Sequence, residues 1–316
     1  ADHRCNSEDL KVLAISIVID EASMLSLELF AGLLSKLPAN CSLVLVGDPN
    51  QLSSVGTGNL IPELLELGCP VTRLERQYRQ SDNESALFYN VVNYPKLSDS
   101  EELKFDDSFQ LIPASEGDIF KVIQEEAVKR YLAGENVQVI ATTRADVKKL
   151  NEALQQVVNP PAEGKAEVTH NGITVRENDR TMILKNNREE RCFNGDIGTA
   201  HVEPMEGGSA FIHIPLSANR QPKFFSAKIG STLALAYALT VHKSQGSQYD
   251  TVIMPASTDC QKMLRRNLFY TAISRAKKQV ILVGSKEALH IAMVTPPEPR
   301  KSMLVIKTHQ KMHFAA

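Results

Sequence analysis

Ile17-Val18-Ile19-Asp20-Glu21-Ala22-Ser23 is the stretch around which the chain reads. An apolar run from Val12 to Ile19 stops abruptly at two carboxylates. The run is short and β-branched, so it predicts a buried strand. In an open α/β sheet, ligands gather outside the carboxyl ends of the strands. Two adjacent acids at such an end suit two tasks, one holding Mg²⁺ and one activating a water molecule. A plainer reading is equally open here: acids in the first turn of a following helix, where the helix dipole favours them.

Working outward, a helix is predicted from about Ser26 to Leu37, ended by Pro38. Cys41 to Val46 reads as a second buried strand. It gives way to Gly47-Asp48-Pro49-Asn50-Gln51-Leu52, again a polar loop at a strand's carboxyl end. Leu60 to Leu67 reads as a short helix, and Val71 to Leu74 as a third strand running into Glu75-Arg76-Gln77-Tyr78-Arg79. Helical spacing returns at Ser85–Val92, at Asp118–Ala133 and at Ala145–Val157. Val137–Thr142 is a buried strand between the last two. From Glu163 to Phe225 the character changes to short alternating segments parted by Asn186-Asn187, Asn194-Gly195 and Gly207-Gly208, the pattern of a small antiparallel barrel. The α/β pattern resumes at Ala227. Thr232–Val241 is one apolar run ending in His242-Lys243-Ser244-Gln245-Gly246, Thr251–Pro255 is a strand, Asn267–Ser274 a helix carrying Arg275, and Gln279–Val283 the closing strand. Pro296 onward reads as a loose tail with one apolar patch, Met303–Ile306.

Composition narrows the function. A length of 316 residues allows about two domains. The formal net charge of −2 excludes a chain that is basic all over, so any nucleic-acid surface must be a local groove. Five cysteines without a Cys-x-x-Cys pair argue against structural zinc and fit a reducing compartment. No run approaches the length of a membrane span and there is no signal peptide, so the expectation is a soluble cytoplasmic protein with no membrane partner. The chain opens on Ala1 rather than Met, and we read it as a piece of a longer polypeptide.

Acids, a Gly-Asp-x-x-Gln loop, an arginine segment, a His-Lys-Ser-Gln-Gly loop and a further arginine form an ordered series suited to phosphoryl transfer from a nucleoside triphosphate. These residues also carry a family resemblance. Asp20-Glu21-Ala22-Ser23, then Gly47-Asp48-Pro49-Asn50-Gln51-Leu52 with Val55-Gly56-x-Gly58-Asn59, then Gln77-Tyr78-Arg79-Gln80 resemble motifs II, III and IV of superfamily 1B DNA helicases. The segment from Ala234 to Ser247 resembles motif V, and Asn267 to Lys277 resembles motif VI. Phe193-Asn194-Gly195-Asp196-Ile197-Gly198 is similar to the barrel of the RecD-like group, the exodeoxyribonuclease V alpha subunit and its stand-alone relatives.

The resemblance implies an α/β fold of RecA-like P-loop NTPase motor domains, the first one partial, with a small SH3-like β-barrel inserted in the second. The expected boundaries are 1–74 for the remainder of the first motor domain, 75–162 and 227–294 for the two parts of the second, 163–226 for the barrel and 295–316 for the tail. It implies ATP and Mg²⁺ as cofactors. Asp20 would hold the metal, and Glu21 would orient and deprotonate the attacking water. Gln51 would sense the γ-phosphate, and Arg79 and Arg275 would clamp it with guanidinium forks that match phosphate oxygens. Asp48, Gly246 and Ser247 are further nucleotide candidates. Thr142, Arg144, Asn187, Thr240, His242, Lys243 and Ser244 are the candidates for single-stranded DNA, gripped through phosphates that carry no sequence information. Among the barrel aromatics, Phe193, Phe224 and Phe225, core filling is expected rather than base stacking. The implied activity is 5′-to-3′ translocation and unwinding in DNA recombination and repair, on single-stranded DNA and DNA ends, with nuclease and helicase subunits of an exodeoxyribonuclease V complex as potential partners.

One departure bears on activity. The phosphate cradle, Gly-x-x-x-x-Gly-Lys-Ser/Thr, belongs upstream of the acidic strand, and residues 1–19 contain nothing like it; Gly164-Lys165 is followed by Ala166. Backbone amides and a lysine of such a loop normally hold the β- and γ-phosphates, so this stretch by itself is expected to hydrolyse ATP negligibly. Gln248 also stands where relatives often carry Glu, which weakens any ribose contact from there. The alternative is a non-catalytic DNA-binding or scaffold subunit derived from a helicase. Retention of Glu21, Gln51, Arg79 and Arg275 speaks against it.

Overall fold

The computed structural model describes residues 16–74, 76–80, 82–97, 102–259, 264–300 and 302–308. The chain divides into two compact units, Ala1–Gln77 with Pro296–Ala316, and Tyr78–Thr295.

In the first unit, β1 (Ser16–Ile19) leads through a short turn to α1 (Leu27–Leu34), β2 (Ser42–Leu45) and α2 (Leu60–Glu66). Ser26 starts α1 by accepting a hydrogen bond from Leu29 N at 3.2 Å, a side-chain cap for an otherwise orphaned amide. β1 and β2 pair in parallel, Ile17 against Leu43 and Ile19 against Leu45. The early part of the expected first strand, Val12 to Ile15, lies outside the described residues. Three expectations need correction. The strands are not buried: Val18 is 64% exposed and Val44 46%, because each strand has one paired neighbour among the described residues and parallel strands are buried only where both sheet faces are covered. Val71–Leu74 forms no strand; it is exposed, with Leu74 at 87%, and a β-prone run becomes a strand only where an edge is available to pair with it. The described part of the tail is not loose. Arg300 donates to Gly56 O at 2.5 Å and Ser302 Oγ to Glu63 Oε2 at 2.7 Å, both within the first unit.

The second unit begins with α3 (Ala86–Asn93), capped by Ser85. Then come β3 (Phe109–Pro113), α4 (Ile119–Leu132), β4 (Val137–Ala141) and α5 (Arg144–Val158). The barrel follows as β5 (Glu167–His170), β6 (Ile173–Arg176), β7 (Arg180–Ile183), β8 (Ile197–Thr199), β9 (His201–Pro204), β10 (Ala210–His213), β11 (Lys223–Phe225) and β12 (Leu233–Leu235). The chain then re-enters the α/β layer with β13 (Ala238–Thr240), α6 (Val241–Ser244), β14 (Tyr249–Ala256), α7 (Arg266–Ile273), β15 (Ala276–Gly284) and α8 (Lys286–Val294). Among the described residues the main sheet runs β13-β4-β14-β15-β3, all parallel. Val137, Val139, Ile140, Val252, Ile253, Val280, Ile281 and Leu282 are fully buried in it. The core against α4 and α5 is closed by Ile123, Leu150 and Leu154.

The apolar run Thr232–Val241 is not one strand. Leu233–Leu235 pairs with β7 in the barrel, and Ala238–Thr240 pairs with β4 in the main sheet. The barrel core likewise extends past the expected end at 226, through Ile229 and Leu233. A buried hub fixes the barrel to the α/β layer. Asp179 is fully buried and accepts from Asn159 Nδ2 at 2.7 Å, Arg176 N at 2.7 Å, Tyr237 Oη at 2.9 Å and Gln155 Nε2. Four donors on one carboxylate offset the cost of taking its charge out of water. Burial, then the neighbouring Asp179 carboxylate, push the Tyr237 hydroxyl well above its usual range. No helix among the described residues is long and apolar enough to cross a membrane.

Candidate functional site

In the first unit the ends of β1 and β2 are sewn together. Val46 N donates to Ile19 O and Ala22 N to Val46 O, both at 2.8 Å. Gly47 permits this approach, since a Cβ there would sit 3.0 Å from Ser23 N. The ladder brings Asp20, Glu21, Asp48 and Gln51 to one end of the sheet. Glu21 has φ 51° and ψ 38°, the left-handed region. For a non-glycine residue this costs about 1–2 kcal/mol, and such strain concentrates where a side chain must be held in one place. Its amide donates to Asp20 Oδ1 at 2.8 Å. Asp48 Oδ1 accepts from Asn50 N at 2.9 Å, and its Oδ2 faces Gln51 Nε2 at 3.4 Å. Gln51 Oε1 is buried with no hydrogen-bond partner among the described protein groups, an acceptor ready for an O–H donor.

These groups fit a nucleotide-bound Mg²⁺ in kind. Such an ion takes one or two carboxylates and draws its other ligands from water and phosphate; Asp20 is an exposed carboxylate at a strand's carboxyl end. No cluster of three or more His, Cys, Asp or Glu able to hold a metal occurs among the described residues.

The second unit carries two separate groupings, at opposite ends of one parallel sheet. At the amino end, Arg79 and Arg275 meet on a single turn. Arg79 Nη1 donates to the Ser274 carbonyl. Arg275 Nη2 donates to Ser274 Oγ at 3.1 Å, and its Nε to Thr271 O at 3.1 Å. Gln80 fastens the arginine segment there, through Nε2 to Ala276 O at 2.8 Å. Arg275 follows α7 rather than lying on it and is only 1% exposed. Gly246 (φ 76°) and Ser247 precede β14 on the same side, where Tyr249 N donates to Arg275 O at 3.0 Å. Ser274, which gathers both guanidinium groups, was not foreseen from sequence, and a serine before an arginine gives no signal of it.

At the carboxyl end, β13 and β4 are neighbours, with Thr240 opposite Ala141. This places Thr142, Arg144, Thr240, His242 and Lys243 on one rim. Thr143 caps α5 through Asp146 N at 3.0 Å, and Thr240 caps α6 through Lys243 N at 3.3 Å. Lys243 Nζ reaches the barrel, donating to Asn194 Oδ1 at 2.6 Å. Burial, then the charge of Arg144, hold the Lys243 ammonium below its ordinary pKa. Two of the DNA candidates are turned inward to structural partners. Ser244 is fully buried and donates to Val241 O at 2.8 Å. Asn187 Oδ1 caps its hairpin, accepting from Glu189 N at 3.0 Å and Glu190 N at 3.2 Å. Beside the rim, a cavity of about 240 Å³ is lined by Glu116, Thr142, Asp146, Lys149, Ser257 and Asp259. It opens where β4 feeds its crossover in one direction along the sheet and β14 in the other, the switch point at which such sheets collect ligands. Of the barrel aromatics, Phe224 fills the core as expected, whereas Phe193 is 53% exposed and Phe225 42%.

Residues 150–207 match the ATP-dependent RecD-like DNA helicase SH3 domain, 235–283 the UvrD-like helicase C-terminal domain, and 8–93 an AAA domain. In these segments the chain is similar to RecD-like DNA helicases. It is 29% identical over 301 residues to the ATP-dependent RecD2 DNA helicase of Deinococcus radiodurans, covering 93% of this chain and 40% of that protein. It is 27% identical over 303 residues to the RecBCD enzyme subunit RecD of Mycolicibacterium smegmatis, covering 88% and 51%. The chain thus spans about half the length, or less, of these relatives. Among solved structures it is similar to the Pif1 helicase of Candida albicans, with a TM-score of 0.54 at 15% identity over 96% of this chain and 77% of that one. Bacteroides Pif1, solved bound to single-stranded DNA, gives a TM-score of 0.52 at 18% identity over 95% and 76%. At such identities these structures speak for the α/β fold alone, and the SH3-like barrel rests on the family match at 150–207.

Proposed function

We propose that this RecD-like chain is the part of an ATP-dependent 5′-to-3′ DNA helicase that carries its acidic strand end, its γ-phosphate arginines and its single-strand grip, acting in recombination and repair. The observation that carries the reading is the meeting of Arg79 and Arg275, 196 positions apart in the sequence, on the one turn at Ser274. Two forked, permanently charged donors gathered in this way suit a transferring phosphoryl group. They lie beside the segment from Thr240 to Tyr249, which runs from the DNA rim back to the amino end of the sheet. β14 is about 26 Å long at ~3.3 Å per residue, so this segment is the covalent link between the two groupings.

In this reading Glu21, held by its left-handed backbone, accepts the proton of the attacking water. Gln51 orients that water through its unpaired Oε1, and Arg79 and Arg275 stabilise the charge developing on the γ-oxygens. Asp20 would hold Mg²⁺, which when bound neutralises charge on the phosphate oxygens. Thr142, Arg144, Thr240, His242 and Lys243 grip the DNA backbone. DNA ends are the substrate, and nuclease or helicase subunits of an exodeoxyribonuclease V assembly are the fitting protein partners. The test is Glu21→Gln in a polypeptide that carries a phosphate loop ahead of this chain. ATP binding should persist, measured with a fluorescent nucleotide, while steady-state hydrolysis is lost. Hydrolysis at the parental rate would remove Glu21 from the role of base.

A further inference from the structure

The barrel hairpin holds an aromatic ring where a core side chain would be expected. Phe193 is 53% exposed, yet its surroundings are built. Its amide donates to Asp196 Oδ2 at 2.7 Å, and the next amide, Asn194 N, donates to Asn186 Oδ1 at 2.7 Å. Gly195, at φ 100°, completes a turn that a side chain would strain. Arg220 lies against the ring, its guanidinium carbon 5.4 Å from the centroid. That arginine is itself fixed, by an ion pair with Asp196 and by donation to Arg191 O at 2.8 Å. An exposed phenylalanine with a fixed backbone and a braced cation against its ring is a platform, not a stray surface residue.

Its position gives the platform a use. Asn194, the adjacent residue, accepts from Lys243 Nζ at 2.6 Å, and Lys243 lies within electrostatic reach of Arg144. Two like charges held together invite an anion. A cation pair and an aromatic face, joined through Asn194 next to the ring, match the two halves of a nucleotide, phosphate and base. We infer that Phe193 is a base-stacking residue that takes one unpaired base of a single-stranded DNA whose phosphate is held by Lys243 and Arg144. The inference rests on the single-strand grip proposed above and adds to it a contact with a base, made by the barrel. Stacking of this kind is tolerant of sequence, because every base offers a π-face.

The experiment uses the whole 316-residue chain and two fluorescent strands of equal length, an oligothymidylate and its abasic counterpart, with anisotropy as the readout. Phe193→Ala should weaken binding of the oligothymidylate by about tenfold and leave the abasic strand unchanged. Phe193→Tyr should bind both strands as the parent does. Equal losses on the two strands would assign the ring to hairpin structure, and an unchanged affinity for oligothymidylate would leave it no role; either overturns the stacking and leaves the phosphate grip standing. If the parent chain binds neither strand, the grip fails and the stacking with it.

Discussion

Ser16–Ile19 and Val137–Ala141 are similar runs, four and five residues of mostly β-branched or small apolar side chains, and both become parallel strands. Their fates differ. In the second unit Val139 and Ile140 are fully buried; in the first, Val18 is 64% exposed. The difference lies in the neighbours. β4 is flanked by β13 and β14 and covered by α4 and α5, whereas β1 has β2 alone beside it among the described residues. A strand's sequence sets its readiness to be buried, and its neighbours decide whether that happens. The chemistry follows the same division. The first unit presents carboxylates on an exposed sheet end, and the second presents guanidinium groups on a turn anchored in a closed core.

The largest effect that would probe this contrast is catalytic. In a polypeptide carrying the phosphate loop, Arg275→Ala should lower ATP turnover by about 10³–10⁵-fold, the range for a guanidinium acting on a transferring phosphoryl group. Because Arg275 is buried, thermal melting should be followed in the same samples. Turnover lost in a folded variant supports the clamp, and turnover retained would return Arg275 to a purely structural place at the end of α7.

Next in size is stability. Ile140→Ala removes a fully buried side chain and should cost about 2–5 kcal/mol. Val18→Ala, at an exposed site, should cost no more than about 0.5 kcal/mol. Urea unfolding of the chain followed by circular dichroism measures both. A cost at Val18 matching that at Ile140 would show that β1 is covered in solution, and the contrast between the units would dissolve.

Much of this architecture is legible before any coordinates. Helices with Ser or Thr before an apolar stripe, at Ser26, Ser85 and Thr143, begin where the caps place them. The barrel is announced by turn residues between short alternating runs. What escapes reading has physical causes. Phe109–Pro113 is a strand with no expectation behind it, because Gln110 and a terminal proline break the pattern of a buried run. Lys286–Val294 is likewise a helix with no expectation behind it, although Ser285 caps it through Ala288 N at 3.1 Å. Thr232–Val241 conceals a passage between two sheets, because both halves are buried and an apolar run without alternation does not say which sheet receives it. The residue types of the candidate site were readable, and their grouping was not. Nothing local in Arg79 or Arg275 announces that they share Ser274, or in Asn194 that it meets Lys243 across 49 positions.

The smallest effect concerns how the second unit answers acid. Asp106 lies just before β3 and reaches back to the first turn of α3. Burial acts to raise its pKa, but hydrogen bonds from the Ser108 hydroxyl and from the amides of Ala86, Ser108 and Phe109 outweigh it, and the carboxyl is held below its ordinary value. The Ala86 amide is 2.7 Å from Oδ2, and the Ser108 amide 2.7 Å from Oδ1. The sign follows from linkage. A carboxyl with a depressed folded-state pKa contributes stability that is fully present above its unfolded pKa, about 3.9, and that is lost as pH falls through the lower, folded value. Unit 2 should therefore lose this contribution only below about pH 4. Asp106→Asn should lower stability modestly at neutral pH and make that acid limb shallower, since the substituted side chain no longer titrates. Exposure to solvent keeps the effect small. Chemical denaturation at a series of pH values tests it: parallel stability curves for parent and variant across the acid range would mean that the Asp106 carboxylate contributes nothing to holding α3 against β3.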